Sequence, residues 1–309
     1  MSKVAIIGAG NVGATAAYCV AEQNVADIVM VDVVPGFPQS KAIDFLHASP
    51  LRGYRVQIAG VNEYEAIQDA DVVIHTAGIP RKPGMDRMDL LRTNVNIARD
   101  AARNVARYAP NAVIIAVANP LDIIATVCLR ESGFPRERVV GMAGVLDSTR
   151  LRYFIAERLN VLPRDVQAMV LGGHGDSMVP LTRYASVAGI PLVDLLDGGT
   201  IKSLSDRTRV GGGEIVQYLK QGSAYYAPGA SAAKMAEAVL KDEKRILPAS
   251  AYLQGEYGYH DLFLGVPVLL GRGGVEKIYE LELTAEEKKA LDGSVEEVQG
   301  GLTQLASLG

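Results

Sequence analysis

The sequence predicts an α/β protein: a doubly wound parallel sheet followed by an α+β domain. Three observations carry that expectation. Short apolar runs alternate with helical patterns through the first half of the chain, as strands do when helices cover both faces of their sheet. The first strand–helix junction is Gly8-Ala9-Gly10-Asn11-Val12-Gly13, a glycine turn of the Rossmann type. Near residue 145 the alternation stops, and helices followed by adjacent strands take over.

Each element follows from local pattern. Val4-Ala5-Ile6-Ile7 is a first strand, and Ala14 to Val20 a helix of small residues. Ile28-Val29-Met30-Val31 is a second strand, ended by Asp32. Further strands are expected near Val56, at Asp71-Val72-Val73-Ile74 and from Ala112 to Val117, with the longest helix from about Met88 to Tyr108. The apolar stretch from Ala112 to Leu129 contains Asn119, Pro120 and Asp122. It reads as strand, loop and helix, not as a membrane span. A helix from Leu146-Asp147 to Leu159 opens the second half, and one strand from Val166 to Leu171 breaks into Gly172-Gly173-His174-Gly175-Asp176. Helices near Leu204 to Lys220 and Ser231 to Lys241, two or three antiparallel strands between Arg245 and Leu270, and a helix from Glu286 to Ala306 complete the reading. The expected division is a dinucleotide-binding domain over 1–145 and a substrate-binding, catalytic α+β domain over 146–309. No linker-like composition separates them, so they should pack tightly.

Composition narrows the function. The 309 residues are 49% hydrophobic and 21% charged, with a net charge of -4. That profile suits a globular protein with a sizeable core and offers no basic surplus for nucleic acid or an anionic membrane. An acidic substrate must then be captured by local arginines. The two cysteines, Cys19 and Cys128, lie in apolar helical patterns. Buried free thiols and a reducing cytoplasm are expected. The first strand begins within three residues of the N-terminus, leaving no room for a signal peptide.

The glycine turn, in this setting, is expected to bind a dinucleotide. Gly8 allows the tight turn, Gly10 the close approach of backbone to a pyrophosphate, and Gly13 the close packing of helix on sheet. Asp32 is positioned to accept hydrogen bonds from an adenosine ribose, and its charge would repel a 2′-phosphate, which favours NAD over NADP. Its plainer role would be that of a strand-end turn residue.

Three further clusters carry charge. Ile79-Pro80-Arg81-Lys82-Pro83-Gly84-Met85-Asp86-Arg87 is a loop, spanning about 79–90 with its flank. It is either a solvated charged run or a mobile lid that brings arginines to an anion. Asp147-Ser148-Thr149-Arg150 places Asp147 and Arg150 on one helix face, for a shared cleft or for a simple helix ion pair. His174, bracketed by glycines at a strand end, is exposed to whatever binds there. Together they describe a 2-hydroxy acid dehydrogenase. NAD accepts the hydride, a histidine takes the hydroxyl proton, a carboxylate on its other nitrogen fixes the tautomer, and an arginine fork holds the substrate carboxylate.

With these motifs, Asp32 and Asn119-Pro120 in order, the chain resembles the lactate/malate dehydrogenase family over essentially its whole length. The resemblance implies that His174 is the proton acceptor, oriented by Asp147. It implies that Arg150 binds the carboxylate next to the reacting carbon and that Arg87 polarises the carbonyl. It places Gly8, Ala9, Gly10, Asn11, Val12, Gly13 and Asp32 at the adenosine and phosphate half of NAD. Asn94, Val117, Ala118 and Asn119 fall at the nicotinamide half, with Asn119 also on the substrate oxygen. Arg81 matches the position that separates the family's two activities, and an arginine there implies the dicarboxylate pair malate and oxaloacetate. Burying a second carboxylate without a cation is costly. The competing expectations are lactate oxidation, which Arg81 disfavours, and a non-catalytic NAD-binding protein, which has no use for His174, Asp147 and Arg150. An NAD-dependent glycosidase would call for a metal site, and no paired Cys/His spacing supports one. A homodimer or homotetramer is expected from the resemblance, with the helix after Asp44 available for contact.

Overall fold

The computed structural model of the chain describes residues 1–79 and 87–308, with Arg87 by its backbone alone. Six parallel strands form the first part of the main sheet: β1 (Ser2–Ile7), β2 (Ala26–Val31), β3 (Ile58–Val61), β4 (Val72–His75), β5 (Val113–Ala116) and β6 (Val139–Gly141). They run in the order β3-β2-β1-β4-β5-β6. Helices α1 (Asn11–Gln23), α2 (Phe37–Arg52), α3 (Arg87–Tyr108) and α4 (Leu121–Ser132) connect them. The strand order reverses between β1 and β4, so a crevice opens at their C-terminal ends. These strands read as unbroken apolar runs because both faces are buried. Val4, Ile6, Ile28, Met30, Val72 and Ile74 enter one core layer. Ala5, Ile7, Val29, Val31, Val73 and Ile114 enter the other.

The second half joins the same sheet. After α5 (Gly144–Leu159), short strands β7 (Val166–Gln167), β8 (Val170–Leu171), β9 (Val179–Pro180), β10 (Ser186–Val187) and β11 (Ile190–Pro191) form two small sheets beside the single-turn α6 (Leu192–Leu195). The long helices α7 (Gly198–Leu219) and α8 (Tyr226–Leu240) precede β12 (Arg245–Gln254), β13 (His260–Gly271) and β14 (Gly274–Ile278). α9 (Ala285–Ala306) follows them. β12 pairs antiparallel with β6, Ser250 opposite Gly141, and extends the parallel sheet with an antiparallel flank. α8 packs on α1 so closely that a Cβ at Gly229 would lie 2.7 Å from Thr15 Cβ.

Several expected boundaries move, each for a local reason. The strand expected over Val166 to Leu171 is two strands in different sheets: β7 pairs with β10 and β8 with β9. The backbone between them is diverted, Met169 O accepting from Leu181 N–H at 2.9 Å. α7 starts at Gly198, not near Leu204, because the Asp197 carboxylate accepts the Thr200 N–H at 3.0 Å. Such a cap contributes about 1 kcal/mol, enough to offset one of the two leading glycines. α8 starts at Tyr226 instead of Ser231, with Gly229 a helix contact and not a breaker. The third strand begins at Ile58, two residues after Val56. Both cysteines are free, but only Cys128 is buried; Cys19 is partly exposed. Burial pushes the Cys128 thiol up to about 12. Among the described residues no helix is long and apolar enough to cross a membrane.

Candidate active site

Among the described residues, the glycine turn, Asp32 and the 117–119 loop lie at the C-terminal ends of β1, β2 and β5 in the main sheet. At Gly8 the backbone takes φ +97°, and a Cβ there would lie 2.7 Å from Ala77 N. Only glycine fits both conditions. A Cβ at Gly13 would collide with Gly8 O at 1.9 Å, so the first turn of α1 rests directly on the strand–helix junction. Among the described residues Gly10 has nothing within 4 Å of its Cβ position. No side chain among the described residues caps α1, and the peptide groups of Gly10, Asn11 and Val12 open its positive end. Ala9 is buried, and its N–H donates to Asp32 Oδ2 at 2.8 Å, while Val34 N–H donates to Oδ1 at 3.0 Å. Asp32 thus serves the turn as well as offering a carboxylate beside it. This cradle of exposed backbone donors and one acid fits a dinucleotide.

A chain of contacts leads from that turn to the second cluster. Thr76 Oγ donates to Gly8 O at 2.8 Å. One residue beyond Ala77, a Cβ at Gly78 would touch Asn94 Oδ1 at 3.3 Å and Ala118 Cβ at 3.5 Å. Asn94 is buried and binds the two adjoining loops together. Its Oδ1 accepts Ile79 N–H at 2.8 Å, and its Nδ2 donates to Asn119 O at 2.9 Å. Asn94 therefore braces the two loops. Val117 and Ala118 are buried, their N–H groups donating to His75 O at 2.9 and 3.3 Å. The next residue, Asn119, has its side chain exposed at the loop tip.

α4 starts two residues later and carries Asp122 in its first turn. Asp122 Oδ2 accepts the backbone N–H of His174 at 3.0 Å, and Oδ1 accepts the Ser250 hydroxyl at 2.6 Å. The His174 loop is thereby tied to the Asn119 loop. Its glycines are packing devices. Gly172 takes φ +90° with its Cβ position 2.7 Å from Ser294 Oγ, and Gly173 would strike Val298 at 2.9 Å. Gly173 N–H donates to Ser294 Oγ at 2.7 Å.

At the centre stands Asp147, buried at 2% exposure. Its Oδ2 lies 2.9 Å from His174 Nδ1, and its Oδ1 accepts Arg150 Nη1 at 3.0 Å. An ionised carboxylate only accepts, so Nδ1 carries the proton and Nε2 keeps a lone pair. Among the described residues the Arg150 guanidinium makes no other hydrogen bond, which leaves donors for an incoming anion. Of the two alternatives in sequence, the helix ion pair is formed, Arg150 and Asp147 being three residues apart on α5. Burial works to lower the His174 proton affinity, but the charge and hydrogen bond of Asp147, with the charge of Asp122, outweigh it against opposition from Arg150. The net shift is upward. Asp122 is itself pushed up by burial, with its bonds from Ser250 and His174 pulling the other way.

Arg81 and Lys82 lie outside the described residues, as does the side chain of Arg87. Sequence reasoning passed over Asp122, Ser250 and Ser294, and also Gly211 and Gly212 of α7. Cβ atoms at these glycines would lie 3.3 Å from Arg150 Cδ and 3.4 Å from Arg150 Nη2. The signals were present: an acid in a buried helical turn, and three successive glycines inside a helical pattern. Among the described residues no group of His, Cys, Asp or Glu could hold a metal ion.

A doubly wound sheet with a glycine turn and adjacent acid, joined to a His–Asp–Arg cluster, defines a dinucleotide-dependent dehydrogenase class. The chain belongs to the lactate/malate dehydrogenase family. Residues 2–141 match the family's NAD-binding domain and 144–307 its alpha/beta C-terminal domain. The chain is 56% identical over 297 residues to the malate dehydrogenase of Thermomicrobium roseum, covering 96% of each. It superposes on the malate dehydrogenase structure from Salinibacter ruber with a TM-score of 0.95, at 51% identity and 99% and 98% coverage. It also superposes on a lactate dehydrogenase from Eimeria maxima with NADH and oxamate, with a TM-score of 0.96, at 44% identity and 99% and 95% coverage.

Proposed function

We propose that the chain is an NAD-dependent dehydrogenase that oxidises (S)-malate to oxaloacetate, reversibly. The observation that carries the reading is the Asp147 carboxylate, which joins the imidazole of His174 and the guanidinium of Arg150 through its two oxygens. One rigid acid thereby sets the distance between a proton acceptor and an anion binder.

NAD, when bound, would supply the acceptor for the hydride that leaves the alcohol carbon. His174 Nε2 takes the hydroxyl proton, and Asp147 stabilises the imidazolium that results. Arg150 grips the carboxylate beside the reacting carbon through a guanidinium fork. Asn119, exposed at its loop tip, hydrogen-bonds the substrate oxygen, and Arg87 polarises it. Arg81 meets the second carboxylate. The acid-braced turn at Gly8 to Gly13 holds the adenosine and phosphate half of the cofactor, with Asp32 at the ribose. The division near residue 145 separates cofactor turn from proton chemistry. The exposed Ile43, Leu46 and Leu51 of α2 support self-association as a homodimer or homotetramer, which light scattering would measure. The unpaired thiols accord with a reducing cytoplasm.

Two variants test the roles. His174→Asn lowers turnover by about a hundredfold or more, the usual scale for a general acid–base group. Turnover close to the parent's would remove the imidazole from the mechanism. Arg81→Gln costs about 2–4 kcal/mol in kcat/KM for oxaloacetate, the scale of an unpaired buried charge, and improves pyruvate relative to oxaloacetate. An unaltered ratio of the two efficiencies would move specificity away from Arg81.

A further inference from the structure

We propose that Asp122 is a second carboxylate acting on His174, a positioning residue that anchors the histidine loop through the His174 amide and favours the protonated imidazole through its charge. The proposal rests on the reading of His174 as the proton acceptor. It starts from geometry. Asp122 is 7% exposed and, among the described residues, is not spent on a cation; its two oxygens take the His174 N–H at 3.0 Å and the Ser250 O–H at 2.6 Å. Both donors point at a buried carboxyl, and two such bonds favour the ionised form. The supporting packing is equally specific. Gly141, opposite Ser250 in the sheet, has its Cβ position 2.8 Å from Ser250 Cβ and 2.6 Å from Leu121 Cδ2, so only glycine lets Ser250 and the start of α4 meet. A Cβ at Gly173 would come within 3.3 Å of Asp122 Oδ2.

The consequence for His174 is electrostatic. From α5 it faces Asp147, bonded to its ring, and Arg150; from α4 it faces Asp122. α9 brings Glu297, 3.6 Å from the Cβ position of the neighbouring Gly175, and the loop itself carries Asp176. Among the described residues the two carboxylates bonded to His174 outnumber the one guanidinium beside it. Negative charge within a few ångströms favours the imidazolium. In oxaloacetate reduction His174 must hold a proton to donate; in malate oxidation it must be free to accept one. Asp122 therefore extends to higher pH the range in which His174 is charged for reduction. Because Asp122 lies two residues beyond Pro120, the same side chain couples that charge to the loop bearing Asn119.

The test is the pH dependence of kcat/KM for oxaloacetate, with NADH saturating. Asp122→Asn keeps an acceptor for the His174 amide and removes the charge. Its alkaline limb moves to lower pH by about one unit, the scale of one nearby charge, while NADH affinity is retained. In NMR of the protein without ligand, the His174 ring titrates correspondingly lower; it is one of four histidines in the chain and is assigned by its loss in His174→Asn. Ser250→Ala removes one donor, weakens the ionised form of Asp122, and moves the limb the same way by about half as much. It supplies the test should Asp122→Asn fail to fold. A limb and a ring titration that stay at parental pH in the folded variants would overturn the proposal, even if turnover falls. That result with His174→Asn inactive would leave the proton-acceptor reading intact. Near-parental turnover in His174→Asn would overturn both.

Discussion

Asp147 and Arg150 show how residue-level contacts seat a guanidinium. Asp147 holds one of Arg150's nitrogens, and the arginine's outer side faces the glycines of α7. Their lack of side chains gives the guanidinium its place. Gly211→Ala sets a methyl 3.3 Å from Arg150 Cδ, a separation that forces the arginine to shift by a few tenths of an ångström. The exchange should also favour the helix by about 1 kcal/mol. The two effects separate in measurement: KM for oxaloacetate rises severalfold while Tm stays level or rises. An unchanged KM would mean that Arg150 is seated without help from α7. The glycines at 211–213 resemble helix breakers in sequence. Their use becomes visible only when α5 is laid against them, which is why residue reasoning reached Arg150 and not its seat.

Elements were legible where one local rule governed them. β1, the glycine turn and β2 follow from hydrophobic run, turn chemistry and terminal acid, and the observed strands lie where those rules put them. Where two rules competed, the boundary moved: Asp197 as a cap overrode Gly198 and Gly199, and packing on Thr15 drew Gly229 into α8. The Asp122–His174 link spans 52 residues, and no local pattern encodes a bond of that range. The glycine turn itself makes a contrast that can be measured. Gly13→Ala drives a methyl into Gly8 O, an overpacking that costs about 1–3 kcal/mol, so both Tm and NADH affinity fall. Gly10→Ala meets no neighbour among the described residues, so Tm holds while NADH binding weakens, because the methyl occupies the open face of the turn. Equal NADH affinity in parent and Gly10→Ala would remove that face from cofactor binding.

At the scale of the whole molecule, one continuous sheet carries both the cofactor turn, after β1, and β12, whose Ser250 holds the Asp122 that anchors the histidine loop, so stability and site integrity are joined. His75 sits at that junction. Its carbonyl holds Val117 and Ala118, yet its ring is buried at 2% exposure and, among the described residues, neither ring nitrogen has a hydrogen-bond partner. The apolar run Asp71 to Ile74 marks the strand in sequence, and β4 extends one residue further, to His75. Burial lowers His75 from 6.5 to about 4. The unfolded chain therefore takes up a proton there below about pH 6.5 while the folded chain does not until about pH 4. Stability contributed by this group is intact above 6.5 and falls as pH drops through that window, by about 3 kcal/mol in all. His174 and Asp122, both shifted upward, move stability in the opposite sense, gaining it as pH falls through their folded values. The raw acid limb is thus a sum, and a difference isolates His75. In urea unfolding, His75→Leu should gain about 3 kcal/mol on the parent between pH 7 and pH 4. A gap between the two proteins that stays constant over that range would show that His75 is protonated as readily in the folded chain as in the unfolded one.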